Sequence, residues 1–333
     1  MTTSPLALPR IVCVDPRALP PNWRKFFAEK QIRLNVVILY ENDAGNGKRW
    51  PAEEILTQGV ARGDHGIADT ALDSSSGNYA VGLAVAVKRK NEIDPNFPIK
   101  RVVMVVTRSI PPGKEALLRA HRIELIYADD PVHAMVVAEA VAKERGYWYT
   151  CQYRNKDNPR GYARVADYIA EKHPWLGMVG GGVGSGGWCS GIYPKLTERF
   201  KDRETAFVRV AVVVEDGQKV GGVRDEKSLE PGSLDWRTPI DDVRFIAEDP
   251  SYKFSAALWG QENPSSKGIC LGGPSTGFAA EGVALAARRL SIMHRLNELR
   301  HDGWVDILIP SLDTREPYRT EYANRGIYWN SET

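Results

Sequence analysis

Short apolar runs recur along the 333-residue chain and alternate with longer amphipathic stretches, the pattern of a parallel sheet covered by helices. Six runs read as buried strands: NVVILYE (35–41), RVVMVV (101–106), IELIYA (123–128), LGMVGG (176–181), FVRVAVVVE (207–215) and WVDILIP (304–310). Four segments between them read as helices. NYAVGLAVAVKRK (78–90) puts Ala and Val on most faces and closes on a basic turn, a charge that suits a helix C-terminus. DPVHAMVVAEAVAKERG (130–146) ends on the C-cap residue Gly146, and PRGYARVADYIAEKHP (159–174) opens with one proline and stops at another. TGFAAEGVALAARRLSIMHRLNELRHDG (276–303) reads as one long Ala-rich helix closed by glycine. From Asp216 to Pro250 the chain is rich in Gly, Asp, Arg and Pro and reads as irregular surface structure. The pattern predicts an α/β fold, and a chain longer than one domain of ~100–200 residues predicts two lobes.

Composition changes this picture mainly by exclusion. With 43% hydrophobic and 26% charged residues the chain is globular, and a net charge of +2 without a basic stripe argues against nucleic acid as partner. Cys13, Cys151, Cys189 and Cys270 form no CxxC and have no His at ligand spacing, so neither a disulfide framework nor a metal site is expected. No window reaches the ~18 apolar residues of a membrane helix, and the N-terminus has no signal-peptide pattern. A soluble, cytoplasmic protein with no membrane partner is expected.

Candidate chemistry centres on MVGGGVGSGGWCSG, residues 178–191, with six glycines between Gly180 and Gly187 after an apolar run and before a helix. Bare backbone there lets N–H groups converge on an anion, which the helix N-terminus also attracts. GVGSGG fits the dinucleotide pattern GxGxxG, but the acid at Glu215 stands 28 residues past Gly187 against the ~20 that pattern expects; a ligand-free turn is the third reading. Lys48, where a strand gives way to a helix, meets a dipole that favours the neutral amine a Schiff base needs; the alternative is a solvated lysine beside Arg49. DSSSGNYAVGLA (73–84) sets three hydroxyls, a glycine and an amide before a buried helix, donors suited to a carboxylate and more than an N-cap requires. Ser311, in ILIPSLDTREPY, stands just past a strand, where open α/β sheets bind ligands.

Together these motifs resemble the fold type II pyridoxal phosphate enzymes, the family of cysteine synthase, cystathionine β-synthase and the tryptophan synthase β subunit, and most closely the cysteine synthase group. The resemblance runs from about Val36 to Tyr318 and keeps the family's motif order. It implies a two-lobed α/β fold, each lobe a twisted, mostly parallel sheet with helices on both faces and the cofactor in the cleft between. Residues 42–155 would be the smaller, mobile substrate-side domain, and 1–41 with 156–333 the larger domain that binds the cofactor phosphate. NDAGNGKRWPAEEIL looks like the family's lysine segment, so Lys48 would carry pyridoxal 5′-phosphate covalently and act as the catalytic base. SSSGNYAVGLA looks like its Thr-Ser-Gly-Asn-Thr loop: Ser75, Ser76, Gly77 and Tyr79 would hold the substrate carboxylate and Asn78 the cofactor's 3′-oxygen. CQYRNKDNP adds Gln152 as a substrate contact; GVGSGGWCSG makes Gly184, Ser185, Gly186, Gly187 and Trp188 the phosphate cradle; LIPSLDTREPY turns Ser311 to the pyridine nitrogen. GPSTGFAAEGVALAA corresponds to the family's Ser-Ser-Gly helix start. Trp188 replaces a hydroxyl contact, Trp50 a smaller or charged residue and Tyr79 a threonine, which points away from acetylserine as the substrate.

The resemblance implies β-replacement on an O-activated L-serine through an aminoacrylate, with a thiol or amine as nucleophile, in a homodimer. A serine rather than a carboxylate at the ring nitrogen disfavours a long-lived delocalised carbanion and makes loss of a β-substituent the easier exit. Arg224, in GGVRDEKSLEPG, lies where some relatives carry an arginine that recognises a charged leaving group, which would admit O-phosphoserine beside O-acetylserine; the alternative is a surface-loop arginine. The alternatives are elimination with deamination, racemisation, a nicotinamide-dependent dehydrogenase, and a catalytically silent relative that binds a partner.

Overall fold

The structure is a computed structural model that describes residues 6–75, 77–229, 234–238, 240–259 and 271–329. In chain order the elements begin with β1 (Arg10–Cys13), α1 (Pro21–Glu29), β2 (Ile32–Ile38), α2 (Arg49–Arg62), β3 (Thr70–Ser74), α3 (Asn78–Ile93), β4 (Arg101–Thr107) and α4 (Pro112–Ala120). They continue with β5 (Glu124–Ala128), α5 (Pro131–Arg145), β6 (Trp148–Tyr149), α6 (Asp157–Arg160), α7 (Ala163–Lys172), β7 (Met178–Gly182), α8 (Gly187–Phe200) and β8 (Val208–Val214). The last are β9 (Asp242–Ile246), α9 (Glu248–Leu258), α10 (Pro274–Ile292), β10 (Val305–Ser311) and α11 (Arg319–Ala323). Two compact units divide this chain: one is built on Glu41–Tyr162, the other on Leu8–Tyr40, Ala163–Leu229 and the chain from Asp235 onward.

The first unit holds a parallel sheet in the order β5-β4-β3-β6. Its strand side chains alternate between two dry faces. Val103 and Val105 of β4 join Leu72 and the α5 residues Ala134 and Ala138. Val102, Met104 and Val106 join Ile55 and Leu56 of α2 and Ala80 and Leu83 of α3. Burial on both faces is why RVVMVV is apolar throughout instead of alternating.

The second unit holds a sheet in the order β1-β2-β10-β7-β8-β9, parallel except for β1 against β2. One face, with Val305, Ile307 and Ile309 of β10 and Val210, Val212 and Val214 of β8, packs on Phe278, Ala279 and Val283 of α10. The helix lies close because facing positions carry no side chain. A Cβ on Gly180 would stand 2.1 Å from Val283 Cγ1, and one on Gly282 would stand 2.4 Å from Val212 Cγ2. Parallel sheets flanked by helices are thus the architecture of both units. No helix among the described residues is long and apolar enough to cross a membrane.

Three local expectations give way to packing. The helix expected over 276–303 ends at Ile292 in a Schellman motif: Arg295 N–H donates to Leu290 O at 2.8 Å, His294 N–H to Ser291 O at 3.1 Å, and His294 takes φ 57°. A histidine in the left-handed position left no glycine to mark this stop. The helix expected over 159–174 divides into α6 and α7 around Gly161, whose Cβ would lie 2.7 Å from Trp50 O and from Pro51 Cα. Within the stretch expected to be irregular, Asp242–Ile246 forms edge strand β9, whose partly exposed residues lack the continuous apolar run of its neighbours.

Candidate active site

In the first unit Lys48 closes a turn built by two asparagines. Asn42 Oδ1 accepts from Ala44 N at 2.9 Å, its amide donates to Asn46 O at 2.9 Å, and Asn46 Oδ1 accepts from Lys48 N at 3.0 Å. Lys48 is the N-cap of α2 and its carbonyl accepts from Ala52 N at 3.1 Å, so its backbone is fixed at a positive helix end. The neighbouring Arg49 is only 2% exposed. It pairs with Asp43 at 2.9 Å and with Glu53 at 2.5 Å, and Glu53 also pairs with Lys90 at 2.5 Å. Burial works to raise the Glu53 carboxyl's pKa, yet the Arg49 and Lys90 charges and hydrogen bonds hold it below the usual carboxylate range. Arg49 therefore staples the turn, while Lys48 is only half-buried.

Helix α3 presses on the same turn. A Cβ on Gly82 would sit 2.9 Å from both C and O of Lys48. Gly82→Ala is therefore expected to displace the Lys48 backbone and to cost about 1–3 kcal/mol by overpacking. Urea unfolding and cofactor titration check this: a lower midpoint with weaker cofactor retention is the expected pair of results.

The serine-rich loop follows β3. Ser75 N donates to Val105 O at 3.2 Å, Gly77 N approaches Ser75 Oγ at 3.4 Å, and Asn78 opens α3. Ser76 lies outside the described residues. Behind the loop is a buried carboxylate that sequence reasoning passed over. Asp73 accepts from Ser74 N at 2.7 Å, Thr150 Oγ1 at 2.6 Å and Gln152 N at 2.9 Å. The Gln152 side-chain amide donates to Ser74 O at 3.2 Å, which ties it to the strand end beside the loop. The Tyr79 hydroxyl donates to Thr150 Oγ1 at 3.2 Å from a fully buried position. Burial, then the Asp73 charge, holds that hydroxyl protonated well above its ordinary range. One end of the unit's sheet thus gathers Lys48, Ser75, Gly77, Asn78, Tyr79 and Gln152, with the Tyr79 side chain turned into the core.

In the second unit the glycine stretch divides by purpose. Besides Gly180, a Cβ on Gly181 would meet Trp188 Nε1 at 2.5 Å, one on Gly182 would meet Val223 Cγ1 at 2.4 Å, and one on Gly184 would meet Gly222 O at 2.4 Å. Four of the six glycines are therefore required for packing. Gly186, at φ 82°, is the N-cap of α8, and Gly187 N–H points to Ser185 Oγ at 3.4 Å. The part of the stretch suited to an anion is this short turn and the first N–H groups of α8. Trp188 is buried with its ring against β7, so its main chain is what it offers to the turn. Arg224 lies alongside: its N–H donates to Val183 O at 2.9 Å, and Nη1 donates to Ser228 O at 2.8 Å.

Ser311 ends β10, where its carbonyl accepts from Leu39 N at 2.9 Å. Its hydroxyl is fully buried and has no hydrogen-bond partner among the described residues; the same holds for Thr276. Both oxygens face Gly272: a Cβ there would lie 2.4 Å from Ser311 Oγ and 2.1 Å from Thr276 Oγ1. Asp313 nearby is already engaged, by Tyr318 Oη at 2.5 Å and Ser275 Oγ at 3.4 Å. Two buried neutral donors left without an acceptor fit a pyridine nitrogen, and a glycine-capped helix N-terminus fits a phosphate ester. The residues of this chain suit pyridoxal phosphate. Sequence reasoning had read Thr276 only as part of a helix start. No group of residues among those described has the make-up of a metal site.

Residues 29–290 match the family of pyridoxal-phosphate dependent enzymes, and the chain belongs to it. The protein is thus an enzyme whose cofactor is pyridoxal phosphate, which sets aside the dinucleotide reading of GVGSGG. Among curated relatives, it is 27% identical to the N-(2-amino-2-carboxyethyl)-L-glutamate synthase of Ralstonia nicotianae over 74% of this chain and 73% of that one. It is 28% identical to a putative cysteine synthase of Sinorhizobium fredii over 51% and 50%. In fold it is similar to O-ureido-L-serine synthase, with a TM-score of 0.75 and 21% identity over 97% of this chain and 94% of the other. The O-acetylserine dependent cystathionine β-synthase from Helicobacter pylori follows with a TM-score of 0.67 and 19% identity over 87% and 89%.

Proposed function

We propose that the protein replaces the β-substituent of an O-activated L-serine with a thiol or amine nucleophile. The observation that carries this is Ser311, a buried hydroxyl with no partner among the described residues at the end of β10, beside the equally buried Thr276. Pyridoxal phosphate supplies an electron sink for the bond-breaking at the substrate's α- and β-carbons. A hydroxyl rather than a carboxylate facing the ring nitrogen would not hold a proton there, which would favour departure of a β-substituent over racemisation.

The side-chain roles proposed are these. Lys48 Nζ would hold the cofactor and, as a neutral amine, would move the substrate's α-proton. The donors of Ser75, Ser76 and Gly77, with the Tyr79 main chain and Gln152, orient the substrate carboxylate. Asn78 would take the cofactor's 3′-oxygen, and the main chain from Gly184 to Trp188 would take its phosphate. Residues 42–155 serve as the substrate-side domain and 1–41 with 156–333 as the phosphate-binding domain. The Ralstonia relative's name describes a 2-amino-2-carboxyethyl group on the nitrogen of glutamate, which supports an amine as nucleophile. A cytoplasmic homodimer is the form proposed, and light scattering reports its mass.

Arg224 is proposed to select a phosphate leaving group, because its main chain is stitched to the segment that enters the anion-binding turn. Arg224→Ala is expected to lower kcat/KM for O-phosphoserine about tenfold or more while leaving O-acetylserine nearly unchanged. Equal effects on both substrates remove this role. The wider reading is tested by adding O-phosphoserine, O-acetylserine and unactivated serine to the purified protein while following its visible spectrum. A change with an activated serine, and a β-substituted amino acid formed on adding thiol or amine, are the results expected; keto-acid release alone would favour elimination.

A further inference from the structure

The opposite end of the first unit's strands carries a groove of about 770 Å³, lined by the second half of α3, the start of β4 and the end of α4. Its floor is apolar, from Ala84, Val87, Val102 and Ala120, and its rim carries Lys88, Lys100, Arg101, His121 and Arg122 with Glu92 as the one acid. Thr70 and Arg101, where β3 and β4 begin, are in register here, whereas the serine-rich loop leaves the far end of β3. The groove is therefore separate from the residues assigned to the reaction.

The positive charge is not cancelled locally. Lys88 and Arg89 share the single carboxylate of Glu92, at 3.9 and 3.2 Å. Arg101 pairs with Asp69 at 3.1 Å, and Glu124 on β5 pairs with Arg145 at 3.6 Å. Among the described residues Lys100 Nζ donates to neutral oxygens, Asn91 Oδ1 at 2.7 Å and Pro95 O at 2.6 Å. Arg122 is exposed and has no ion pair among the described residues. The ends of α3 and α4 contribute about half a negative charge each, which offsets roughly one of the surplus cations and leaves about two.

We propose that this groove binds a small organic anion carrying two or more negative charges, its carbon frame on the apolar floor and its phosphate or carboxylate groups between Lys100 and Arg122. The volume lies within the range of small-ligand pockets, and a free guanidinium fork suits either anion. His121 provides a local reporter. Burial and then the Lys88 charge push its imidazole below the ordinary histidine value, and a bound anion would push it back up.

Calorimetry of the cofactor-loaded, full-length protein with fructose 1,6-bisphosphate, ATP and citrate, at low and at physiological salt, tests the site and separates phosphate from carboxylate sources. Saturable binding by at least one of them is expected, with a dissociation constant below about 1 mM at low salt that weakens as salt rises. In the same titration the His121 ring-proton NMR signal should move to a higher pKa. Lys100→Ala combined with Arg122→Ala should weaken binding about tenfold or more and abolish the His121 response, with the melting temperature and basal turnover kept. No binding by any of the three, or binding that the double variant retains with the His121 signal unmoved, overturns the proposal.

Discussion

Replacing Lys48 with alanine is expected to lower kcat on any serine derivative by about four orders of magnitude, because the proposed function asks one side chain both to anchor the cofactor and to move the α-proton. The fold should survive the change. Two contacts that position residue 48 involve its main chain, Asn46 Oδ1 to its N–H and Ala52 N to its carbonyl, and alanine makes both. The melting temperature of the variant should stay close to that of the native chain, so lost activity would not report unfolding. A Lys48→Ala variant within about tenfold of native turnover would require another amine to do this work.

Asp73→Ala should give the largest loss of stability. The carboxylate is fully buried and accepts from two backbone N–H groups and the Thr150 hydroxyl, itself the acceptor for Tyr79. Removing it strands three donors in a dry interior, each worth about 1–3 kcal/mol, for a net loss of roughly 3–5 kcal/mol after relaxation. Because Ser74 and Gln152 flank the same carboxylate, the loop after β3 should loosen too, raising KM for the amino acid beyond the change in kcat. Asp73→Asn keeps an acceptor and should lose less. A urea midpoint unchanged in Asp73→Ala would show that the network is not what holds β3 to the Thr150–Gln152 segment.

The sequence is most legible where burial is simplest. RVVMVV and WVDILIP are strands covered on both faces, so apolar runs announced them directly. Strand β3, TALDS, was missed because it is short and ends on Asp73 and Ser74, polar residues made safe inside by partners that include ones 77 and 78 positions away. In the glycine stretch the motif was visible but its purpose was mixed. Gly180 to Gly184 answer to Val283, Trp188, Val223 and Gly222, neighbours that spacing alone does not name. Thr276 escaped notice for a related reason: a hydroxyl at a helix start is common, and only the fold places it with Ser311 against Gly272.

The covalent tether is the central claim, and mass spectrometry of the borohydride-reduced, proteolysed protein tests it most directly. The pyridoxyl-phosphate mass is predicted on the peptide containing Lys48 and on no other lysine. Its absence, or its recovery at another position, would contradict the account.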